Sequence, residues 1–134
     1  MKRYYAVIDT NVVVSALLSK NIQSPTVVLL NLIVDGKIIP VYNEEILDEY
    51  RDVLIRKKFQ FDAEKIEAAL NAIRAGVCVE RTVSDWHFPD EDDAVFYEVA
   101  MSVEDAYLVT GNIRHFPKVS KVVTPAEMIK IVKG

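Results

Sequence analysis

Short apolar runs of strand length alternate with capped, helix-length segments along this chain, and that alternation leaves few folds open. Residues 4–8 (YYAVI) are continuously apolar, as a central strand buried on both faces must be. A helix-compatible stretch follows at 11–19. Ser24 and Pro25 then supply a cap and a first-turn proline for a helix over 26–35, with Gly36 just past its end as a stop signal. The pattern goes on to predict a strand over 38–42, a helix from the Asn43 cap to Lys58, and a helix from Asp62 to Gly76. A strand over 77–79, a helix over 91–103 capped by Asp90, strands at 107–110 and 122–123, and a last helix over 125–132 opened by Thr124 complete the series. Such alternation needs right-handed crossovers, hence an α/β fold with a largely parallel sheet of five strands covered on both sides. A chain of 134 residues has room for one core, so 1–134 reads as a single domain.

Several function classes drop out early. The formal net charge of −4 is unlike that of a generally basic nucleic-acid coat, although a local basic patch is compatible with it. Cys78 is the single cysteine, which rules out an internal disulfide or a cysteine-based zinc site and fits a reducing cytosol. The apolar run after Lys2 and Arg3 stops at Asp9, far below signal-peptide length, and the stretch 27–34 contains Asn31. A cytoplasmic protein with no membrane association is therefore expected. Neither GxxxxGK[ST] nor GxGxxG occurs, and no serine, cysteine or histidine nucleophile arrangement is visible. His87 and His115 read as surface or packing residues.

In parallel α/β sheets the working site lies at the carboxyl ends of the strands. Asp9 directly follows the first strand and serves equally well as a helix cap or as a functional carboxylate. On the helix after Asn43, Glu49 lies nearest the edge of the apolar stripe Ile46, Leu47, Tyr50, Val53 and Leu54, whereas Asp48 and Asp52 point away. Asp90, Glu91, Asp92 and Asp93 crowd the start of a later helix; with Asp90 spent as the cap, the helical wheel leaves both Asp92 and Asp93 as inward candidates. The strand at 107–110 stops at Gly111, where a tight turn is expected, and Asn112 offers a neutral side-chain oxygen at the same edge. Three carboxylates at one rim are an electrostatic problem, since two charges about 4 Å apart repel by roughly 4 kcal/mol even at an effective dielectric near 20. Shared protons or a hard divalent cation relieve it, and oxygen-only ligands favour Mg²⁺ or Mn²⁺. Such an ion is the equipment of phosphodiester hydrolysis.

Asp9-Thr10-Asn11 after the first strand, Glu49 within EILDEYRDVLIRKKF, Asp93 within DEDDAVFYEVA, and YLVTGNIRHFP near the end together resemble the PIN-domain family. The similarity is greatest to the toxin components of bacterial and archaeal toxin–antitoxin modules, the VapC-type ribonucleases. It implies a three-layer α/β/α, PIN-like fold, and an acid cluster holding one or two Mg²⁺ or Mn²⁺ ions for endonucleolytic cleavage of RNA. By the same resemblance the metal-holding acids are Asp9, Glu49 and Asp93 rather than Asp92. Thr10 matches a hydroxyl residue that orients the first aspartate, and Asn11 its frequent companion. The fourth acidic position falls on Asn112, which carries no charge and weakens the hold on a second metal. A cognate antitoxin and a homodimer are the partners the resemblance implies.

The working mechanism has Asp9, Glu49 and Asp93 binding an ion that activates water, with Thr10 and Asn112 positioning water or metal. Arg56, Lys57 and Lys58, and Arg114, His115 and Lys118, are candidate phosphate contacts, although basic residues at a helix carboxyl end are also favoured by the dipole alone. A haloacid-dehalogenase-like phosphatase would need an acid where Asn11 stands, and a phosphoreceiver domain would need paired acids before the first helix. The rival that survives is a catalytically weak or inactive PIN-like module that binds RNA or an antitoxin. The apolar stretches 12–18 and 27–33 suit either partner contacts or core.

Overall fold

The most apolar strand takes the centre of the sheet. In the computed structural model, which describes residues 2–134, β1 (Tyr4–Ile8) pairs on one side with β2 (Ile38–Tyr42), which in turn pairs with β3 (Val77–Cys78). On its other side β1 pairs with β4 (Ala106–Val109) and β4 with β5 (Val122–Val123). All four pairings are parallel. Ala6, Val7 and Ile8 are each at most 1% exposed. Successive strand side chains face opposite ways, so burial of three in a row means that helices cover both faces.

Six helices do so: α1 (Thr10–Leu18), α2 (Pro25–Val34), α3 (Glu44–Leu54), α4 (Ala63–Arg74), α5 (Glu91–Met101) and α6 (Pro125–Lys133). The caps expected at Asn43, Asp62, Asp90 and Thr124 form, each side chain accepting a hydrogen bond from a first-turn backbone N–H. Thr124 and Glu127 complete a reciprocal capping box. Gly36 follows α2 with φ +79°, a conformation that side chains disfavour. At the far end of α5, the Lys121 ammonium donates to the Ala100 and Val103 carbonyls at 2.9 and 2.8 Å, a cap supplied from outside the helix. Burial lowers the Lys121 pKa.

Three expectations need correction. Ser24 stands at the N-cap position of α2, but its side chain makes no cap hydrogen bond and its buried hydroxyl has no partner. The helix after Asn43 ends at Leu54 instead of running to Lys58, and a separate 3₁₀ turn forms at Lys57–Phe59. Its buried stripe of Ile46, Leu47, Tyr50 and Leu54 would continue into Lys57 and Lys58, so further turns would bury nothing. Breaking there instead lets Phe59 stack on Phe61, with ring centroids 5.5 Å apart. Arg56, Lys57 and Lys58 thus lie beyond the helix, outside its last turn. The turn at Gly111 does not depend on glycine: its φ is not positive, and a Cβ there would meet nothing within 4 Å.

The apolar stretches of α1 and α2 are mostly core. Val12, Val13, Val14 and Leu17 are buried, as are Leu29, Leu32 and Ile33, while Leu18 and Val34 remain exposed. Among the described residues no helix is long and apolar enough to cross a membrane.

Candidate functional site

The chain builds its sheet outward from β1 through β2 to β3, then returns to the opposite edge of β1 for β4 and β5. That reversal opens a crevice beyond the carboxyl ends of β1 and β4, the switch point where parallel sheets place ligands. Ile8 and Val109 are register partners, so the first residues past the two strands, Asp9 and Thr110, meet there. The Asp9 N–H extends the ladder by donating to the Val109 carbonyl at 2.9 Å.

Two uses of Asp9 are separated in space. Its backbone caps α1, with the Asp9 carbonyl accepting from the Val12 and Val13 N–H groups at 3.0 and 3.4 Å. Its side chain makes no cap hydrogen bond. Instead Oδ2 accepts from the Thr110 hydroxyl at 2.7 Å. The Asn112 backbone N–H donates to that same hydroxyl oxygen at 3.0 Å, which turns the hydroxyl proton toward the carboxylate. Asp9 and Thr110 are both buried.

Adjacent residues of α3 reach the same place. The Tyr50 hydroxyl, fully buried, donates to the Ile8 carbonyl, and the Thr10 hydroxyl donates to Glu49 Oε2. Tyr50 therefore seats α3 on the end of β1, and that seating brings half-buried Glu49 up to the residue after Asp9. The hydroxyl that meets Asp9 is Thr110's, whereas Thr10, matched by resemblance to that task, serves Glu49.

At α5 the geometry distinguishes two acids that periodicity left equivalent. Asp90 caps the helix by accepting from the Asp92 N–H at 3.0 Å. Asp92 is exposed, and Asp93 turns inward with its side chain 16% exposed. Asp93 Oδ2 is buried and has no hydrogen-bond partner. His115 Nδ1 lies 3.3 Å from it, close enough to draw on the carboxylate. His115 therefore stands against an acid of the site and is more than a packing residue.

All three acids have raised pKa values. For Asp9 burial is the main cause, opposed by the Thr110 hydroxyl, the backbone N–H groups of Thr10 and Asn11, and His115. Burial also leads for Glu49, where the Thr10 hydroxyl opposes it and the charges of Asp9, Asp92 and Asp93 add to it. Asp93 is raised by burial and by Asp9 and Asp90, and drawn back by His115. Charge repulsion from Asp9, just past β1, thus reaches Glu49 on α3 and Asp93 on α5 at one rim. Oxygen donors and an orphaned carboxylate oxygen suit a hard divalent ion. Among the described residues, however, no three His, Cys, Asp or Glu side chains stand as a finished ligand set. Asn11 and Asn112 are exposed, and neither side chain hydrogen-bonds to the acids.

A groove of about 460 Å³ continues from the acids between α3 and α5, lined in part by Glu49, Asp52, Arg56, Arg81 and Asp92. Arg81 bridges its walls: Nη2 lies 2.5 Å from Glu98 Oε1 on α5, and Nη1 donates to Glu45 Oε2 on α3 at 2.8 Å. Sequence reasoning missed Glu98, which is buried within the run of six buried residues 95–100, and it missed Thr110. Neither carried a signal: Glu98 falls off the apolar stripe that Val95, Val99 and Val103 share, and Thr110 reads as an ordinary strand end. A family profile described as PIN domain matches residues 5–114. No curated protein matches the chain.

Proposed function

The chain belongs to the PIN-domain family, and from that premise we propose that it is a Mg²⁺- or Mn²⁺-dependent endoribonuclease, the toxin of a toxin–antitoxin module. PIN domains are generally metal-dependent nucleases, and the finer statements are this protein's proposed specialisation. The observation that carries the reading is the gathering of Asp9, Glu49 and Asp93 at the β1/β4 switch point, with Asp93 Oδ2 buried and unpartnered.

Asp9, Glu49 and Asp93 would hold the ion, which when bound supplies an acidified water and polarises a phosphate oxygen. Thr110 and Thr10 fix the carboxylates of Asp9 and Glu49 through their hydroxyls, which limits the rearrangement that ligation demands. Asn112 contributes its backbone N–H to this arrangement, and with an exposed amide it is available to substrate rather than to the acids. Arg114 and Lys118, exposed on the segment that carries His115, would take RNA phosphates. A cognate antitoxin and a second copy of the chain are the proposed protein partners, with exposed Leu18 and Val34 as apolar contacts on α1 and α2.

One observation favours a second reading. With no finished set of three ligating side chains and a neutral residue at position 112, the fold also suits a PIN-like module that binds RNA or antitoxin without cutting. Incubation with a panel of single-stranded RNAs decides between them. The nuclease reading expects cleavage with Mn²⁺ or Mg²⁺, abolition by chelator, and at least about a hundredfold loss in Asp9→Asn. Equal cutting by both proteins, or none by either with every RNA and metal, would overturn it.

A further inference from the structure

Residues 79–90 join β3 to α5 without regular secondary structure, yet they are tied down along their length. The Val79 N–H donates to the Tyr42 carbonyl at 2.9 Å, and the Thr82 N–H to Ser102 Oγ at 2.9 Å. Buried Glu98 takes the Arg81 guanidinium on one oxygen and the Ser84 N–H, at 2.6 Å, on the other. Phe88 is 7% exposed. Between these anchors stands Trp86, whose backbone N–H donates to Ser84 Oγ at 3.0 Å while the residue as a whole stays 49% exposed. A segment held this firmly has no need to leave its largest apolar side chain in water.

The exposed ring is linked to the acid rim by aromatic contacts. Trp86 meets Phe88 edge-on with centroids 6.5 Å apart, and Phe88 meets Phe116 at 6.1 Å. Phe116 directly follows His115, whose Nδ1 is 3.3 Å from Asp93. Arg114 and Lys118 flank that step on the same segment. Around the acids a phosphate is repelled, but an uncharged base can bind through its π-face without meeting that repulsion.

We propose that Trp86 is a stacking platform for an unpaired base of single-stranded RNA, one that flanks the phosphate held at the acid rim. This rests on the nuclease reading and adds to it a residue that grips a base of the substrate. Trp86 binds a base away from the reacting atoms, so it governs affinity and leaves the chemical step alone.

Trp86 is the only tryptophan in the chain, and its own emission therefore reports on the contact. Wild-type protein in chelator is titrated with a single-stranded RNA decamer and with the same RNA annealed to its complement. Binding is followed in parallel by the anisotropy of a labelled copy. Saturable quenching by the single strand and little by the duplex is expected. Trp86→Ala weakens binding at least about fivefold, Trp86→Phe restores most of it, and with metal the alanine variant raises KM while kcat changes by less than about twofold. Binding without any change in emission, equal quenching by duplex, or full affinity in Trp86→Ala would overturn the proposal while leaving the nuclease reading standing. Emission that responds to protein concentration without RNA would overturn it too, making Trp86 a contact between copies. Failure of any RNA to bind or be cleaved by wild-type protein once Mn²⁺ or Mg²⁺ is supplied would instead bring down the nuclease reading on which the proposal rests.

Discussion

Replacing Thr110 with valine isolates the contact that distinguishes Asp9 from an ordinary helix cap. The substitution keeps the side chain's shape, so it opens no cavity, but it removes the donor 2.7 Å from Asp9 Oδ2 and the acceptor of the Asn112 N–H. A hydrogen bond to a charged acceptor contributes about 1.5–3 kcal/mol, and a neutral one about 0.5–1.5 kcal/mol. Both partners are buried, so solvent cannot replace the lost donor. The cost depends on pH in a definite direction. The folded Asp9 pKa is raised above its ordinary 3.8, so its favourable contribution is complete below that value and is lost as pH rises through the folded pKa. Thr110 is the strongest influence holding that pKa down, and without it the folded value climbs further. At pH 7 the variant therefore loses the bond to a carboxylate, about 2–3 kcal/mol. Near pH 3, below the ordinary 3.8 and so further below the raised folded value, Asp9 is largely protonated in both proteins and the variant loses only the neutral bond, roughly 1 kcal/mol. Urea unfolding in chelator at the two pH values measures the difference. An equal loss at both, or none at either, would show that Asp9 is not a buried carboxylate held by Thr110.

Two further outcomes follow from the site's electrostatics. Asp93→Asn removes one of the mutually repelling acids and should stabilise the metal-free protein by about 0.5–1 kcal/mol at pH 7 while weakening divalent-ion binding. Because the Asp93 pKa is raised above 3.8, the gain shrinks toward pH 3, where the wild-type acid is protonated too; thermal melts and calorimetric Mn²⁺ titration check both halves. Arg81→Met leaves the Glu98 carboxylate, 3% exposed, with the Ser84 N–H but no counter-charge. The expected cost is about 2–4 kcal/mol, below the full penalty for a buried pair because Arg81 is about a third exposed. Glu98→Gln in the same chain should recover part of it in urea melts.

Much of the architecture was legible in local pattern. The run 4–8 announced a central strand because a strand covered on both faces cannot alternate, and Asn43, Asp62, Asp90 and Thr124 announced helix starts because capping is a matter of a few neighbouring atoms. The end of α3 was less legible, since it depends on where Phe59 and Phe61 find each other. Glu49 stood out on the wheel as the inward acid of its helix. Periodicity could not separate Asp92 from Asp93, because which carboxylate turns inward depends on how α5 lies against the sheet and against His115. Thr110 carried no signal at all, its partner lying 101 residues away.

Sequence by itself determined that strands and helices would alternate, that the sheet would be parallel, and that Asp9 would follow the first strand, since each depends on residues a few positions apart. Only the tertiary structure decided that β4 would return beside β1, bringing Thr110 to Asp9, Tyr50 to the Ile8 carbonyl and His115 to Asp93. The physical reason is that a turn or cap is stabilised by its own atoms, whereas a cluster of like charges exists only because burial of the whole core holds together groups that would otherwise repel.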